Sequence, residues 1–155
     1  MPSGTVEAIH IAPEAASAVE SRDSVEAVAG RGLRGDRYFQ EAGTFTGVEG
    51  GGRHLTLIET EAVVAIEQEA GIELEPGEHR RNLTTSGIAL NHLVDREFSI
   101  GEARFMGIRL CEPCTHLQSL TGKDEIISAL LHRGGLRADI VESGTIGVGD
   151  RIRAD

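Results

Sequence analysis

The sequence predicts one mainly β domain over residues 1–155, a β-barrel-like α+β fold with a few peripheral helices. Short runs rich in Val and Ile, bounded by turn-forming residues, recur along the chain, whereas only two segments show a clear helical apolar stripe. The strand-like runs do not alternate regularly with helices, which disfavours a doubly wound α/β fold. A length of 155 residues with 39% hydrophobic residues suffices for one buried core.

The predicted strands follow from these runs and the turns between them. They cover residues 4–11, 24–29, 53–58, 80–85, 97–100, 103–110, 138–141, 146–148 and 151–153. The polar, glycine-rich stretch 31–52 is predicted to be a long loop, which is more often functional or mobile than ordinary.

Two helices and one short helical turn complete the prediction. The first helix covers 59–70, with Ala62, Val63 and Ile66 on one stripe and Gly71 as its stop. A short turn of helix is expected over 90–94. The second helix covers 124–132, with capping by Thr121 and Asp124, an apolar face, and an end at Gly134-Gly135; that face is Ile126, Ile127, Leu130 and Leu131.

Composition excludes several classes of function. The 15 basic and 25 acidic residues give a net charge of -10, which argues against a general nucleic-acid binder or a binder of anionic membrane. Aromatic residues make up 3% with no Trp, so base-stacking surfaces are not expected. No apolar run approaches a membrane span, and the start lacks signal-peptide features, which predicts a cytoplasmic, soluble protein. Lys123 is the single lysine and therefore the one candidate for a Schiff base.

The sharpest local motif is Cys111-Glu112-Pro113-Cys114. It lies too late in a β-rich chain for thioredoxin-like exchange, and with His116 it offers only three candidate zinc ligands. Thr115 stands where haem attachment needs His. Two interpretations remain open: a thiolate that binds a soft metal or carries sulfur as a persulfide, and two buried cysteines that act as small hydrophobes.

The stretch Gly30-Arg31-Gly32-Leu33-Arg34-Gly35 matches a dinucleotide-binding pattern, but no apolar helical stripe follows it. A sharp glycine loop that presents Asp36 and nearby arginines is the better interpretation, and a plain turn needing positive φ is the alternative.

Arg80-Arg81-Asn82, followed by Thr84, is the best candidate for anion binding. On one predicted strand, Arg80, Asn82 and Thr84 share a side, and Arg offers bidentate contacts to phosphate. A solvated strand face with ion pairs is the alternative. The six histidines show no paired metal-ligand spacing.

The order of motifs resembles the MOSC domain, found at the C-terminus of molybdenum cofactor sulfurases and as a stand-alone protein. The pieces that carry the resemblance are Gly4-Thr5-Val6, Gly32-Leu33-Arg34-Gly35-Asp36-Arg37, Arg53-His54-Leu55-Thr56-Leu57-Ile58-Glu59, Arg80-Arg81-Asn82-Leu83, Gly87-Ile88-Ala89-Leu90-Asn91-His92-Leu93-Val94, Phe98-Ser99-Ile100-Gly101, Cys111-Glu112-Pro113-Cys114, Arg133-Gly134-Gly135 and Gly144-Thr145-Ile146-Gly147-Val148-Gly149-Asp150. In one departure from the pattern, Asp95 stands where relatives commonly have Gly.

The resemblance implies a β-barrel-like fold and a pocket for molybdenum cofactor, a pterin dithiolene that carries a phosphate. It implies that Cys114 ligates molybdenum or carries sulfur, and that Arg80 and Asn82 line the pocket. Asp36 falls in the family's Gly-Asp pair, with a structural or a catalytic role. With the anion-binding run, the candidate cofactor-binding residues are Arg80, Arg81, Asn82, Thr84 and Asp36. Pyridoxal phosphate is not expected, since the long sulfurases bind it on a separate domain.

Two functions follow from the resemblance. In one, the chain is a small molybdenum oxidoreductase acting on N-hydroxylated or related compounds, with electrons from a protein partner. In the other, Cys114 holds a persulfide supplied by a desulfurase partner. An interaction domain that keeps the fold without the cofactor is the alternative from a different class.

Overall fold

The protein is described by a computed structural model that covers residues 2–39 and 51–154. Its strands are β1 (Ser3–Ile11), β2 (Glu20–Arg22), β3 (Ser24–Val28), β4 (Gly32–Leu33), β5 (Leu55–Glu59), β6 (Leu83–Ser86), β7 (Glu97–Ile100), β8 (Ala103–Leu110), β9 (Leu136–Glu142), β10 (Gly144–Gly147) and β11 (Arg151–Ala154). Its helices are α1 (Thr60–Ala70), α2 (Thr115–Thr121) and α3 (Ile126–Leu130), with a 3₁₀ turn at Leu90–Leu93.

Seven of the strands in the described residues close into a mixed barrel, in the order β1-β11-β7-β8-β9-β5-β6 and back to β1. Strands β5 and β6 run parallel, and the other pairs in the barrel are antiparallel. Strand β2 extends from β1, and β10, β3 and β4 form a small second sheet. The predicted mainly β, barrel-like fold with peripheral helices is therefore confirmed.

The core is aliphatic, as a chain poor in aromatics requires. Phe98 and Phe105 stack inside the barrel with their ring centroids 5.4 Å apart, and both are fully buried. A smaller apolar cluster lies under the helices, where Ile66 of α1 packs with Leu117 and Ile126. Helices α2 and α3 are thereby anchored beside the end of β8.

Local signals predicted several elements well. The β7 and β8 strands have the predicted bounds, and Gly101 turns between them with a φ of 55°. Helix α1 ends at Gly71, whose φ is 68° and whose N–H donates to the Glu67 carbonyl at 3.0 Å, while the Ile72 N–H donates to the Ile66 carbonyl. Asp95 has a φ of 63°, a left-handed conformation that Asp tolerates better than most residues and glycine adopts freely.

The prediction for the second helix was wrong in its bounds. Helix α3 covers only Ile126–Leu130, and its first residue has no side-chain cap. The Thr121 hydroxyl donates instead to the Leu117 carbonyl, 3.0 Å away, at the end of the unpredicted helix α2. Gly122, with a φ of 69°, ends α2, and the Gly134-Gly135 pair lies beyond the end of α3.

The predicted strand 80–85 begins only at Leu83. Arg80 has a φ of 66°, which interrupts any extended run at that residue. The predicted loop 31–52 contains β4, and its residues 40–50 lie outside the described residues. None of the helices in the described ranges combines the length and apolar character needed to cross a bilayer.

Candidate functional site

One pocket brings both cysteines together with arginines. Its cavity volume is about 50 Å³, and the space widens to about 510 Å³ when the open solvent at its mouth is included. Its lining residues are Arg37, Tyr38, Thr56, Arg80, Arg81, Cys111, Glu112, Cys114, His116, Leu117, Leu120 and Arg137. We call this cavity the thiol pocket.

The two cysteines differ in their exposure. Cys111 directly follows β8 and is 2% exposed, and its N–H donates to the Gly135 carbonyl at 2.8 Å. Cys114 is half-buried, lines the pocket and immediately precedes α2. Cys114 is therefore the more accessible of the two thiols.

Arg81 holds the backbone around the cysteines in place. Its guanidinium donates to the carbonyls of Gly134 at 2.8 Å, Cys111 at 3.0 Å and His79 at 3.1 Å. A Cβ on Gly134 would lie 2.4 Å from the Cys111 carbonyl oxygen, so only glycine permits this approach. Arg81 faces the pocket, but its donors are committed to the protein's own backbone.

Arg80 has hydrogen-bonding capacity left for a ligand. Its Nη1 donates to the Ser17 carbonyl, whereas its buried Nη2 has no partner among the described residues. Burial lowers the pKa of Arg80, as does the charge of Arg37, while Asp36 and Tyr38 act in the opposite direction. A guanidinium taken out of water without a full set of partners is stabilised by a bound anion.

Asp36 and Asn82 lie behind the pocket wall rather than in the pocket. Asp36 is fully buried and accepts from the Ala12 N–H at 3.0 Å and from Arg37 Nη1 at 3.2 Å. Asn82 donates to the His10 carbonyl at 3.1 Å and accepts from the Thr56 N–H at 3.0 Å. The loop at 30–36 therefore turns Asp36 inward instead of presenting it to a ligand.

Thr84 is not brought together with Cys114. Its hydroxyl lies 3.1 Å from His79 Nε2 and lines a different, mostly apolar cavity with Val63. The prediction that Arg80, Asn82 and Thr84 share one strand face was wrong, because the left-handed Arg80 ends the regular alternation before β6 begins.

Several lining residues are not among those that the sequence predicts for the site. Arg137 reaches the pocket from β9, and Leu117 and Leu120 reach it from α2. Their positions depend on strand pairing and helix packing, which no local motif encodes. Arg37 could have been proposed from the sequence, since it directly follows the Gly35-Asp36 pair.

The pocket is electropositive although the whole chain carries a net charge of -10. Among the described residues, four arginines and one carboxylate line it. That carboxylate, Glu112, lies 3.0 Å from His132 Nδ1 and accepts from the His132 N–H. No group of three or more His, Cys, Asp or Glu side chains in the described ranges could hold a metal ion. One thiol among guanidinium groups suits an anion that brings its own metal ligands.

The buried His79 should make stability depend on pH. Its Nδ1 accepts from the Arg81 N–H at 3.0 Å, so the neutral ring donates through Nε2 to Thr84. Burial, together with the charges of Arg81 and His10, lowers the pKa of His79 to about 3.

In the unfolded chain the His79 ring takes up this proton near its ordinary pKa of 6.5, whereas in the folded chain it does so only near a pKa of about 3. The free energy of unfolding should therefore fall as pH drops from about 6.5 towards 3, by up to about 1.4 kcal/mol per pH unit. Urea unfolding at pH 6.5, 5.5 and 4.5 should show a shallower loss for His79→Gln than for wild type. The exposed His92→Gln is the control. If the free energy of unfolding falls equally with pH in wild type and in both variants, the lowered pKa of His79 is contradicted.

The fold and pocket together define a small β-barrel domain with a half-exposed thiol in a cationic recess. The model of the MOSC domain family matches residues 7–153, and the chain belongs to this family.

Three solved structures share the fold. The YuaD protein from Bacillus subtilis is 19% identical with a TM-score of 0.79, over 97% of this chain and 94% of that one. YiiM from Geobacillus stearothermophilus is 15% identical with a TM-score of 0.70, over 98% and 75% of the two chains. YiiM from Escherichia coli is 16% identical with a TM-score of 0.65, over 99% and 68%. The search of curated proteins found no match.

Proposed function

We propose that this chain binds molybdenum cofactor in the thiol pocket and that the Cys114 thiolate is a protein ligand to molybdenum. One observation carries the proposal: the half-buried Cys114 and the incompletely partnered Arg80 line the same pocket. The family is generally linked to this cofactor, and the chain's membership makes the cofactor the first ligand to test.

The residues present fit the chemistry of this group. The unpartnered Nη2 of Arg80 is a donor that a phosphate oxygen would satisfy, and Arg37 adds a second positive charge to the same wall. A thiolate is a soft ligand, which suits a soft metal bound by sulfur. The dithiolene would supply further sulfur ligands, so the chain needs to provide only one.

The surrounding residues support this role for Cys114. Arg81 fixes the carbonyls of Cys111 and Gly134 and so holds the loop that leads to Cys114. The apolar side chains of Leu117 and Leu120 line the same pocket as the thiol. When bound, the cofactor supplies oxidation–reduction at molybdenum, so the chain would act as a small oxidoreductase that receives electrons from a partner protein.

The proposal is tested by the molybdenum and pterin content of the chain purified from a host that makes the cofactor. Wild type should contain both, and Arg80→Gln should reduce both by about tenfold, as expected for loss of a charge-assisted contact. Arg80→Lys should restore part of the loss because it keeps the charge. The exposed Arg22→Gln serves as the control.

Wild-type protein free of metal and pterin, or a content unaffected by Arg80→Gln, would contradict the proposal. Metal-free wild type whose properties do not change in Cys114→Ala would instead favour a non-catalytic interaction domain.

The exposure of Cys114 also favours a second candidate, the sulfur carrier. The Cys114 thiolate would attack the outer sulfur of a desulfurase persulfide, forming one S–S bond while the desulfurase thiolate leaves, with no net oxidation. After incubation with a cysteine desulfurase and cysteine, mass spectrometry should then find about 32 Da added at Cys114 and not at Cys111. An unmodified Cys114 in a molybdenum-loaded protein favours the oxidoreductase.

A further inference from the structure

A second cavity lies on the outer face of the barrel, and we call it the His10 cavity. Its volume is about 230 Å³, and among the described residues it shares no lining residue with the thiol pocket. Ala8 and His10 alternate along β1 with Ile9, which belongs to the barrel core, so Ala8 and His10 face outward. Thr84 lies opposite Ala8 on the neighbouring strand β6. The apolar part of the lining is Ala8, Val63, Leu74 and Pro76.

Helix α1 and the segment that follows it form the rest of the lining. Thr60 and Val63 lie one helical turn apart at the start of α1, and both line the cavity. The segment 74–77 also lines it and is fixed at its end, where the Glu78 N–H donates to the Glu75 carbonyl at 2.9 Å. The Glu78 carboxylate in turn lies 2.7 Å from Lys123 Nζ. The cavity is therefore built from β1, β6, α1 and a held segment.

The His10 ring has a buried nitrogen without a partner. His10 is 5% exposed, and its Nδ1 has no hydrogen-bond partner among the described residues. Gly77 packs against this ring, since a Cβ there would lie 2.8 Å from His10 Cδ2, and the φ of Gly77 is 80°. A buried polar atom that has lost water and gained no partner costs free energy. A ligand that bonds to Nδ1 would remove that cost.

The Thr60 hydroxyl is a second unpartnered group in the same lining. Its Oγ1 is buried and has no hydrogen-bond partner in the described part of the chain. His79 and Thr84 differ, because His79 Nε2 and Thr84 Oγ1 lie 3.1 Å apart and bond to each other. His10 and Thr60 are therefore the buried groups of the lining that have bonding capacity for a ligand.

The charges of the lining indicate an uncharged ligand. Burial lowers the pKa of His10 and, together with neighbouring charges, lowers that of His79 to about 3, so both rings are neutral at pH 7. Glu75 is the one charged side chain among the described residues of the lining, and it is exposed. A charged ligand group inside the cavity would thus lose its water without gaining a buried partner of opposite charge.

We infer that the His10 cavity binds a small, uncharged ring compound with one hydroxyl group, of the phenol class. An apolar cavity of about 150 Å³ holds benzene, so a volume of about 230 Å³ accommodates one ring with a substituent. A hydroxyl group both donates and accepts, so it matches His10 Nδ1 in either ring tautomer and matches the Thr60 hydroxyl equally. The inference goes beyond the proposed function and does not rest on the cofactor.

NMR titration of the full chain with phenol tests the inference. Phenol should shift the amide resonances of Ala8, Val63 and Gly77 together and saturate at one molecule per chain. Toluene has a similar size and no hydroxyl, so it should bind about tenfold more weakly. Benzoate, which adds a charge, should bind more weakly still. If phenol causes no saturable shift, the cavity holds water only and the inference is overturned. Equal affinities for phenol and toluene would overturn it as well.

Two variants each remove one unpartnered group while they keep the shape of the side chain. At least one of His10→Phe and Thr60→Val should weaken phenol binding by about tenfold and leave toluene binding unchanged. The exposed His92→Phe and Thr145→Val are their matched controls and should bind phenol like wild type. Unchanged phenol affinity in both cavity variants would contradict the assigned hydrogen bond.

A blocking variant locates the ligand. Val63→Phe places a larger side chain in the cavity and should abolish the binding of both phenol and toluene. Val64→Phe is the matched control, because Val64 is the next residue of α1 and is exposed. Wild-type phenol affinity in a folded Val63→Phe would place the ligand elsewhere and overturn the inference. If Val63→Phe does not fold, the comparison of phenol with toluene in wild type still decides. Molybdenum and pterin content plays no part in these measurements, so the inference and the proposed function fail separately.

Discussion

Cys114→Ser should lose nearly all bound molybdenum, with a fall of about 100-fold in metal affinity, the upper end of what lost supporting contacts cost at metal sites. The hydroxyl of serine is a hard, protonated group at neutral pH and a poor replacement for a soft thiolate. Elemental analysis of protein from a cofactor-producing host measures the effect. The fold should survive the change, because Cys114 is only half-buried and lies outside the barrel core, at the edge of the smaller apolar cluster under the helices.

Cys111→Ser is the matched control for this result. Cys111 is 2% exposed, and the contacts to Arg81 and Gly135 are made by its backbone, so serine keeps them. Cys111→Ser should therefore retain most of its molybdenum. An equal loss of molybdenum in the two variants would mean that Cys114 is not the particular sulfur ligand.

Asp36→Ala should destabilise the fold by about 3–5 kcal/mol, the cost of removing one partner of a buried charged pair. The substitution leaves Arg37 Nη1 and the Ala12 N–H without their acceptor, and it removes a contact at 3.4 Å from Asn82 Nδ2. For a chain of this length the Tm should fall by about 10 °C or more. Thermal and urea unfolding measure the loss.

Asp23→Ala is the control for Asp36→Ala, since Asp23 is exposed and the substitution should change stability by no more than about 0.5 kcal/mol. The comparison also separates a structural from a catalytic role for Asp36. Asp36→Ala with wild-type stability but no activity would contradict the buried, structural role that its contacts indicate.

The elements that could be predicted from the sequence are those with local causes. The β7–β8 hairpin and helix α1 each have apolar residues at the spacing of their own secondary structure. A glycine makes the turn of the hairpin, and another ends the helix. Helix α2 could not be predicted because it has no polar cap and only Leu117 is buried, so packing against α3 and α1 determines it. Strand β2 is three exposed residues that pair with the end of β1, which gives no apolar pattern to detect.

The same distinction applies to the candidate site. The Cys114 motif and the Arg80-Arg81 pair are visible in the sequence, and both lie in one pocket. The sequence could not reveal that Arg81 donates to backbone carbonyls while Arg80 Nη2 has no partner in the part of the chain that the structure describes, because that depends on the left-handed φ of Arg80. Arg137 reaches the pocket only through the pairing of β9 with β5 and β8 in the barrel.

X-ray absorption at the molybdenum edge tests the central claim most directly, because it counts the sulfur atoms around the metal. We expect Cys114→Ser, loaded with enough cofactor for measurement, to show one sulfur neighbour fewer than wild type, and Cys111→Ser to match wild type. A sulfur count that is unchanged in Cys114→Ser would contradict the assignment of this thiolate as the protein ligand.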